Sequence, residues 1–382
     1  MNILYVCHDS GLYGASKSLL DLIDALKEYN VTPYIILPYP GPMEKELIRR
    51  RISYYIVKYY KNSRPVGEGN IVEETLNELK KLLTVKQVIH LVRKWKIDII
   101  HTNNLCTDIG AMVSLIEHIP HVWHIREFME EDFGIELYNK RKMKYLVNKA
   151  DSIILISKAI YGKYKRLYHK DRMKVIYDRV SFEDYHLSND KFFEGESLNL
   201  LICGAISKQK GQMEAVKAVD YLWKQGIQNI RLSIVGRGKK EYMAEIKNYI
   251  KANQLQEVIT IYGFKKDLRN FRESSDLALM CSKSEGLGRV TIESMLSEVL
   301  VIGSDTAATK ELIHHGVTGY LYKYGDHIDL ANQIIYAMGH KEEVKKIKST
   351  AKDFATRTFT SKASVEQVYR IYQGVKNSNR YR

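Results

Sequence analysis

The chain has 382 residues, six prolines and 45% hydrophobic content, enough for two globular domains and too apolar for extended disorder. Its formal charge of +14 calls for an anionic partner: nucleic acid, a phosphorylated substrate or an acidic membrane surface. Four widely spaced cysteines (Cys7, Cys106, Cys203, Cys281), none in a CxxC pair, read as buried reduced thiols rather than a disulfide framework.

In chain order, the opening MNILYVCHDSG enters a strand directly and lacks the basic start and apolar core of a signal peptide. No window approaches ~18 consecutive apolar residues, so no membrane span is expected. The expectation is a cytoplasmic protein, peripheral at the inner face of the plasma membrane. Strands are predicted at 2–8, 32–38, 53–59, 98–103, 121–127, 151–157 and 174–178, with helices such as 15–29 and 86–96 between them. Alternation of strand and helix predicts a parallel sheet with helices on both faces. The polar stretch 182–197 reads as a linker, and 61–84 as an insert bearing on acceptor specificity. The pattern then restarts with strands at 198–206, 230–236, 258–264, 276–282 and 299–305, and helices at 211–226 and 239–253. The tail is helical: 341–357 is strongly basic and 361–375 carries apolar residues at helical spacing. The architecture expected is α/β, with two doubly wound Rossmann-like domains whose ligands bind at the carboxyl ends of the strands.

Four segments carry chemistry. In SEGLGRVTIE (284–293), glycines permit a sharp strand-to-helix turn, and the free N–H groups of the helix start make a phosphate seat. Arg289 can add charge there, Glu293 can accept from a ribose diol, and Glu285 can meet the ligand beyond the phosphates. In CGAISKQKGQ (203–212), Lys210 stands at a helix start as a point charge for a diphosphate. In HDSGLYGAS (8–16), Gly11 and Gly14 bring backbone N–H groups toward a ligand, without a full dinucleotide or P-loop fingerprint. In HVWHIREF (121–128), strand alternation puts Val122, His124 and Arg126 on one face. No HExxH and no Cys/His cluster with ligand spacing occurs, and EED at 130–132 reads as a solvated helix start, so no obligatory metal or other cofactor is expected.

Together and in this order, these segments resemble the GT4 family of retaining glycosyltransferases, which have the GT-B fold. The family's E-x7-E motif is Glu285 to Glu293, in EGLGRVTIESM; SDTAATKELIHHGVTGYLYKYGD (304–326), IVGRG (234–238) and IYGFKKDL (261–268) also fit family segments. The resemblance implies two domains facing a central cleft: an acceptor domain at 1–181, a nucleotide-sugar domain at 182–360, and a last helix at 361–382 crossing back to the first. It implies that Glu285 contacts the donor sugar and that Glu293 holds the ribose. Gly286, Leu287 and Gly288, with Lys210, hold the diphosphate. Gly14 approaches the phosphate, His124 lies near the donor sugar, and the base stacks around Gly263 and Phe264.

The chain departs from the family where GAISKQKG puts Ala205 in place of an arginine, leaving Lys208 or Arg289 to supply the charge. The first loop is GLYGAS, and Lys310 stands where proline is frequent.

The basic, tyrosine-interleaved stretches 138–149 and 158–174 suit an anionic membrane surface or a lipid-phosphate acceptor. No nucleic-acid module is present. The function expected is transfer of a hexose-type sugar from UDP or GDP to a glycan or lipid-linked glycan in cell-surface polysaccharide synthesis. The alternatives are a sugar-nucleotide epimerase or hydrolase on the same fold, and a non-catalytic binding subunit.

Overall fold

The computed structural model describes residues 1–185, 187 and 192–378, so part of the expected linker at 182–197 lies outside the described residues. The chain forms two compact units, one holding Met1–Arg179 and the segment from Lys362 onward, the other Val180–Ser361.

The first unit contains β1 (Asn2–Cys7), β2 (Thr32–Leu37), β3 (Ser53–Ile56), β4 (Ser63–Pro65), β5 (Ile99–Asn103), β6 (His121–Ile125), β7 (Ile135–Leu137), β8 (Ser152–Leu155) and β9 (Met173–Val175). Seven of these make one parallel sheet in the order β3-β2-β1-β5-β6-β8-β9. Its strands are apolar on both faces because both are covered. Helix Gly14–Leu26 covers one face with Leu19, Ile23 and Leu26, while helix Ile71–Lys94 covers the other with Val85, Val88 and Val92. The last helix, Ala363–Asn377, belongs to this unit. Its Val365, Val368, Tyr372 and Val375 join the core of the first face, and the Tyr372 hydroxyl lies 2.6 Å from His101 Nδ1.

The second unit contains β10 (Leu198–Cys203), β11 (Ile230–Val235), β12 (Ile259–Tyr262), β13 (Leu277–Met280), β14 (Leu300–Ser304) and β15 (Tyr320–Tyr322), all parallel, in the order β12-β11-β10-β13-β14-β15. The order reverses between β10 and β13. The loops leaving those two strands therefore emerge side by side at the carboxyl edge, the place where such sheets bind ligands.

Several expectations are corrected. Residues 61–84, read as an insert, hold two elements that were not expected there: β4, paired antiparallel with β7, and the first part of a 24-residue helix from Ile71 to Lys94. Asn70 caps that helix by accepting from the N–H groups of Val72 and Glu73. The strand expected at 174–178 is only Met173–Val175, which leaves Asp178 in a loop. The 130–132 segment is not wholly solvated, because Asp132 is buried and accepts from the Phe128 N–H at 3.0 Å. Cys7, Cys106 and Cys281 are buried and Cys203 is half-buried; all four are free thiols. Among the described residues, no helix is long and apolar enough to cross a membrane.

Because Tyr372 is fully buried against Tyr5 and His101, Tyr372→Ala should cost the first unit about 3–5 kcal/mol, as large aromatic-to-alanine cavities do. Urea denaturation followed by circular dichroism reads this, and an unchanged midpoint would show that the last helix does not hold the sheet.

Candidate active site

At the reversal point of the second sheet, the loop 281–288 leaves β13 and the segment 204–211 leaves β10. They touch directly. A Cβ added at Gly211 would sit 2.0 Å from the Cys281 carbonyl oxygen, and Gly211 has φ +69, so this contact needs glycine. The Lys283 N–H donates to the Gln209 carbonyl at 2.8 Å. This apposition brings Lys210 and Glu285 together: Lys210 Nζ donates to Glu285 Oε1 at 2.6 Å, and Ser282 Oγ donates to the same oxygen at 2.6 Å. Both side chains of the pair remain partly open to solvent.

Gly286, Leu287 and Gly288 are buried, and Gly288 takes φ +84 to start helix Arg289–Leu296. The Thr291 and Ile292 N–H groups both turn to the Gly288 carbonyl. The helix positions Glu293, which is 6% exposed. Its carboxylate accepts from Arg289 Nε at 3.0 Å and from Arg272 Nη2. Both guanidinium groups lie over the Tyr185 ring, at 5.0 Å for Arg272 and 6.0 Å for Arg289. Burial, and then the Glu293 charge, push the Tyr185 phenol up to about 12. Arg289 is thus directed at Glu293. Arg272 and Tyr185 have no motif in the sequence that marks them; Arg272 sits in the polar stretch RNFRESS, and Tyr185 in the expected linker.

Of the two substitutes expected for the cation absent at Ala205, Lys208 lies 3.6 Å from Glu245 and Arg289 is held by Glu293. Strand pairing places a third cation. β10 and β11 pair in register from Leu198↔Ile230 to Cys203↔Val235, and a bridge at Ile206↔Gly238 continues the same offset. Arg237 therefore stands beside Ala205. Its side chain makes no hydrogen bond or ion pair among the described residues. Gly263 and Phe264 follow β12, exposed, with open space where a Gly263 Cβ would lie.

In the first unit, Gly14 is the exposed first residue of its helix, just beyond the carboxyl end of β1. His124 is only 2% exposed. Its Nδ1 lies 3.2 Å from both His101 Nε2 and Arg126 Nη2, while Arg126 donates to Asn103 Oδ1 at 2.6 Å and to Asp178. Arginine only donates, so His124 Nδ1 is the acceptor and its proton sits on Nε2. That Nε2 is buried without a hydrogen-bond partner, with Asp178 Oδ1 3.8 Å away. Burial, then the charge of Arg126, hold His124 and His101 well below the ordinary histidine value, so both are neutral.

Each unit thus has a doubly wound parallel sheet, with paired carboxylates and cations at the reversal of the second. The profile of the family described as Glycosyl transferases group 1 matches residues 187–354, and that of Glycosyltransferase Family 4 matches 13–183. Between them the two span most of the chain, which belongs to the GT4-type glycosyltransferases of GT-B fold. The uncharacterized glycosyltransferase MJ1178 of Methanocaldococcus jannaschii is 25% identical over 361 residues, covering 89% of this chain and 97% of its own. The capsular polysaccharide biosynthesis glycosyltransferase CapM of Staphylococcus aureus is 23% identical over 69% of this chain and 73% of its own. Among solved structures, Anabaena HepE superposes with a TM-score of 0.82 at 22% identity, over 98% of this chain and 100% of its own.

Burial also drives His121 down to about 3, so three buried histidines of the first unit are neutral at pH 7. Their folded values lie below the unfolded value of about 6.5, so the unfolded chain takes up protons first as pH falls. Stability is full above that value and is lost as pH drops below it, by up to about 1.4 kcal/mol per pH unit for each histidine. The urea midpoint should fall steeply between about pH 6.5 and pH 4.5. His121→Gln, which keeps a polar partner for Thr102 Oγ1, should flatten that slope; an unchanged slope would locate the acid sensitivity elsewhere.

Proposed function

We propose that this glycosyltransferase moves a hexose-type sugar from a UDP- or GDP-sugar to a glycan or lipid-linked glycan acceptor, with retention and without an obligatory metal, in cell-surface polysaccharide synthesis. The Lys210–Glu285 pair carries this reading. It puts a cation for the diphosphate and a carboxylate for the sugar within 2.6 Å of each other at the reversal of a parallel sheet. Lys210, Arg237 and the N-terminus of helix Arg289–Leu296 neutralise the charge that grows on the departing nucleoside diphosphate. Glu285 accepts from sugar hydroxyls and is not a covalent nucleophile. An oxocarbenium-like centre forms as the glycosidic bond to phosphate breaks. The acceptor hydroxyl adds from the same face, and its proton passes to the leaving phosphate oxygen. Glu293, held by two arginines, presents its remaining lone pairs to the ribose. The base rests against Gly263 and Phe264.

The relatives support the substrate classes. HepE has been crystallised with UDP and with UDP-glucose. A Campylobacter jejuni relative, 27% identical over 57% of this chain, is an N-acetylgalactosaminyltransferase whose acceptor is linked to undecaprenol through a diphosphate.

A thermal-shift panel of nucleosides, nucleoside diphosphates and sugar nucleotides tests the donor site. One base should stabilise the wild type by about 2–3 kcal/mol near 100 Kd. Lys210→Ala should abolish that shift. Arg237→Ala should weaken the diphosphate by roughly tenfold or more and leave the nucleoside unaffected, as loss of one charged hydrogen bond does. No shift with any nucleotide at saturation would overturn the donor assignment.

A further inference from the structure

The first unit carries two surface features that the donor site does not use. One is a stripe on helix Ile71–Lys94. Val72, Leu76, Leu79 and Leu83 follow the spacing i, i+4, i+7, i+11, so they share one face. They are 69%, 48%, 58% and 65% exposed. The opposite face of the helix is fixed inward by polar contacts. Glu74 accepts from Arg64 Nη1 at 2.5 Å; Lys81 Nζ reaches the Tyr138 hydroxyl at 3.0 Å and Asp108 at 3.2 Å; Glu78 accepts from Lys142 Nζ. The leucine face is therefore turned outward by construction rather than left over from poor packing.

The other feature is an open cavity of about 440 Å3 lined by Arg141, Lys144, Tyr145, Asn148, Lys149, His169 and Arg172. No carboxylate lines it. On the same helix, Lys140 and Lys142 are neutralised by Glu136 and by Glu78 with Asp108, whereas Arg141 and Lys144 form no ion pair among the described residues. Arg172 spends its Nη1 on the carbonyls of Asn148 and Ala150, each at 2.7 Å, which holds its charge at the rim without cancelling it. Arg141, Lys144 and Arg172, gathered without an ion-pair partner among the described residues, repel one another unless an anion joins them. Helix Lys140–Lys149 is tied to helix Ile71–Lys94 through the Glu78–Lys142 and Lys81–Tyr138 contacts, so apolar stripe and basic cavity belong to one rigid part of this unit.

We propose that this part of the first unit docks on an anionic lipid bilayer. The leucine stripe enters the acyl boundary, and the Arg141, Lys144 and Arg172 cavity takes phosphate headgroups. Charge complementarity chooses the occupant: a second copy of a +14 chain would bring more positive charge to the cavity, and an anionic membrane brings the missing negative charge. Lasting attachment of a peripheral protein needs two such signals, one apolar and one electrostatic. The inference rests on the lipid-linked acceptor reading for its purpose, yet its test contains no sugar and no nucleotide, so either can fail alone.

The experiment is flotation of the full chain with vesicles of phosphatidylcholine and with an equimolar phosphatidylcholine–phosphatidylglycerol mixture. Wild type should float with the anionic vesicles only. Arg141→Glu/Lys144→Glu should lower partitioning by roughly thirtyfold or more, and added salt should lower the wild type likewise. Leu76→Gln/Leu79→Gln should lower it about tenfold in a salt-independent way. All four positions are on the surface, and matched circular dichroism melts establish that the variants fold. Equal binding to both vesicle types, or variants that float like wild type, would overturn the proposal. So would saturation of the cavity by soluble glycerol phosphate with no vesicle preference, which would mark a free-phosphate site. A wild-type dimer made monomeric by the leucine substitutions, with no flotation, would mark the stripe as a contact between copies.

Discussion

Lys210 and Glu285, 75 residues apart, meet at 2.6 Å, and the rest of the second unit is arranged around that contact. The sheet reversal sets the loops after β10 and β13 side by side. Gly211, with no side chain, lets one loop lie on the carbonyl of the other. The site pairs its own charges: Lys210 with Glu285, and Arg272 and Arg289 with Glu293. On the proposed function a donor enters by exchange: its diphosphate would replace Glu285 as the partner of Lys210, and its sugar hydroxyls would occupy the freed carboxylate. The two changes are coupled, because a carboxylate left without a cation seeks donors, and the sugar supplies them.

The same logic separates the two glutamates that bracket the turn. Glu285 is partly exposed and held by Lys210, itself partly exposed, and by Ser282. Glu293 is buried beneath two guanidinium groups that are stacked on Tyr185, and burial of that kind fixes a carboxylate in place. One carboxylate is poised to change partners, and the other is a fixed acceptor. Fixed geometry suits recognition of a ribose, and exchangeable geometry suits the reacting end.

Much of this was legible in the sequence, for a physical reason. Strands of a parallel sheet are buried on both faces, so runs such as LNLLICGAI and DLALMCS stand out as continuous apolar segments, and their restart after residue 198 marks a second sheet. The turn SEGLGRVTIE was readable as a strand-to-helix junction because its glycines permit the sharp reversal, and Gly288 takes φ +84 there. Arg272 was not readable, since a buried arginine in a polar stretch looks like any surface arginine until its partner is placed. Alternation in HVWHIRE separated two faces but could not tell a cleft from a core, and His124 lies among buried histidines. Helix Ile71–Lys94 was half missed because apolar side chains point outward as well as inward, which blurs its period. Strands β4, β7 and β15, three residues each, are too short to leave a pattern.

The account turns on Glu285 acting on the sugar while Lys210 acts on the diphosphate. The measurement that tests it most directly compares wild type and Glu285→Gln in two readouts: equilibrium binding of the nucleoside diphosphate, and its release from the sugar nucleotide under turnover. Glutamine removes the competitor for Lys210 without removing the side chain. The account predicts nucleoside diphosphate binding as tight as wild type or tighter, with release slowed by about a hundredfold or more. Wild-type release by the variant, or equal loss of binding and release, would contradict it.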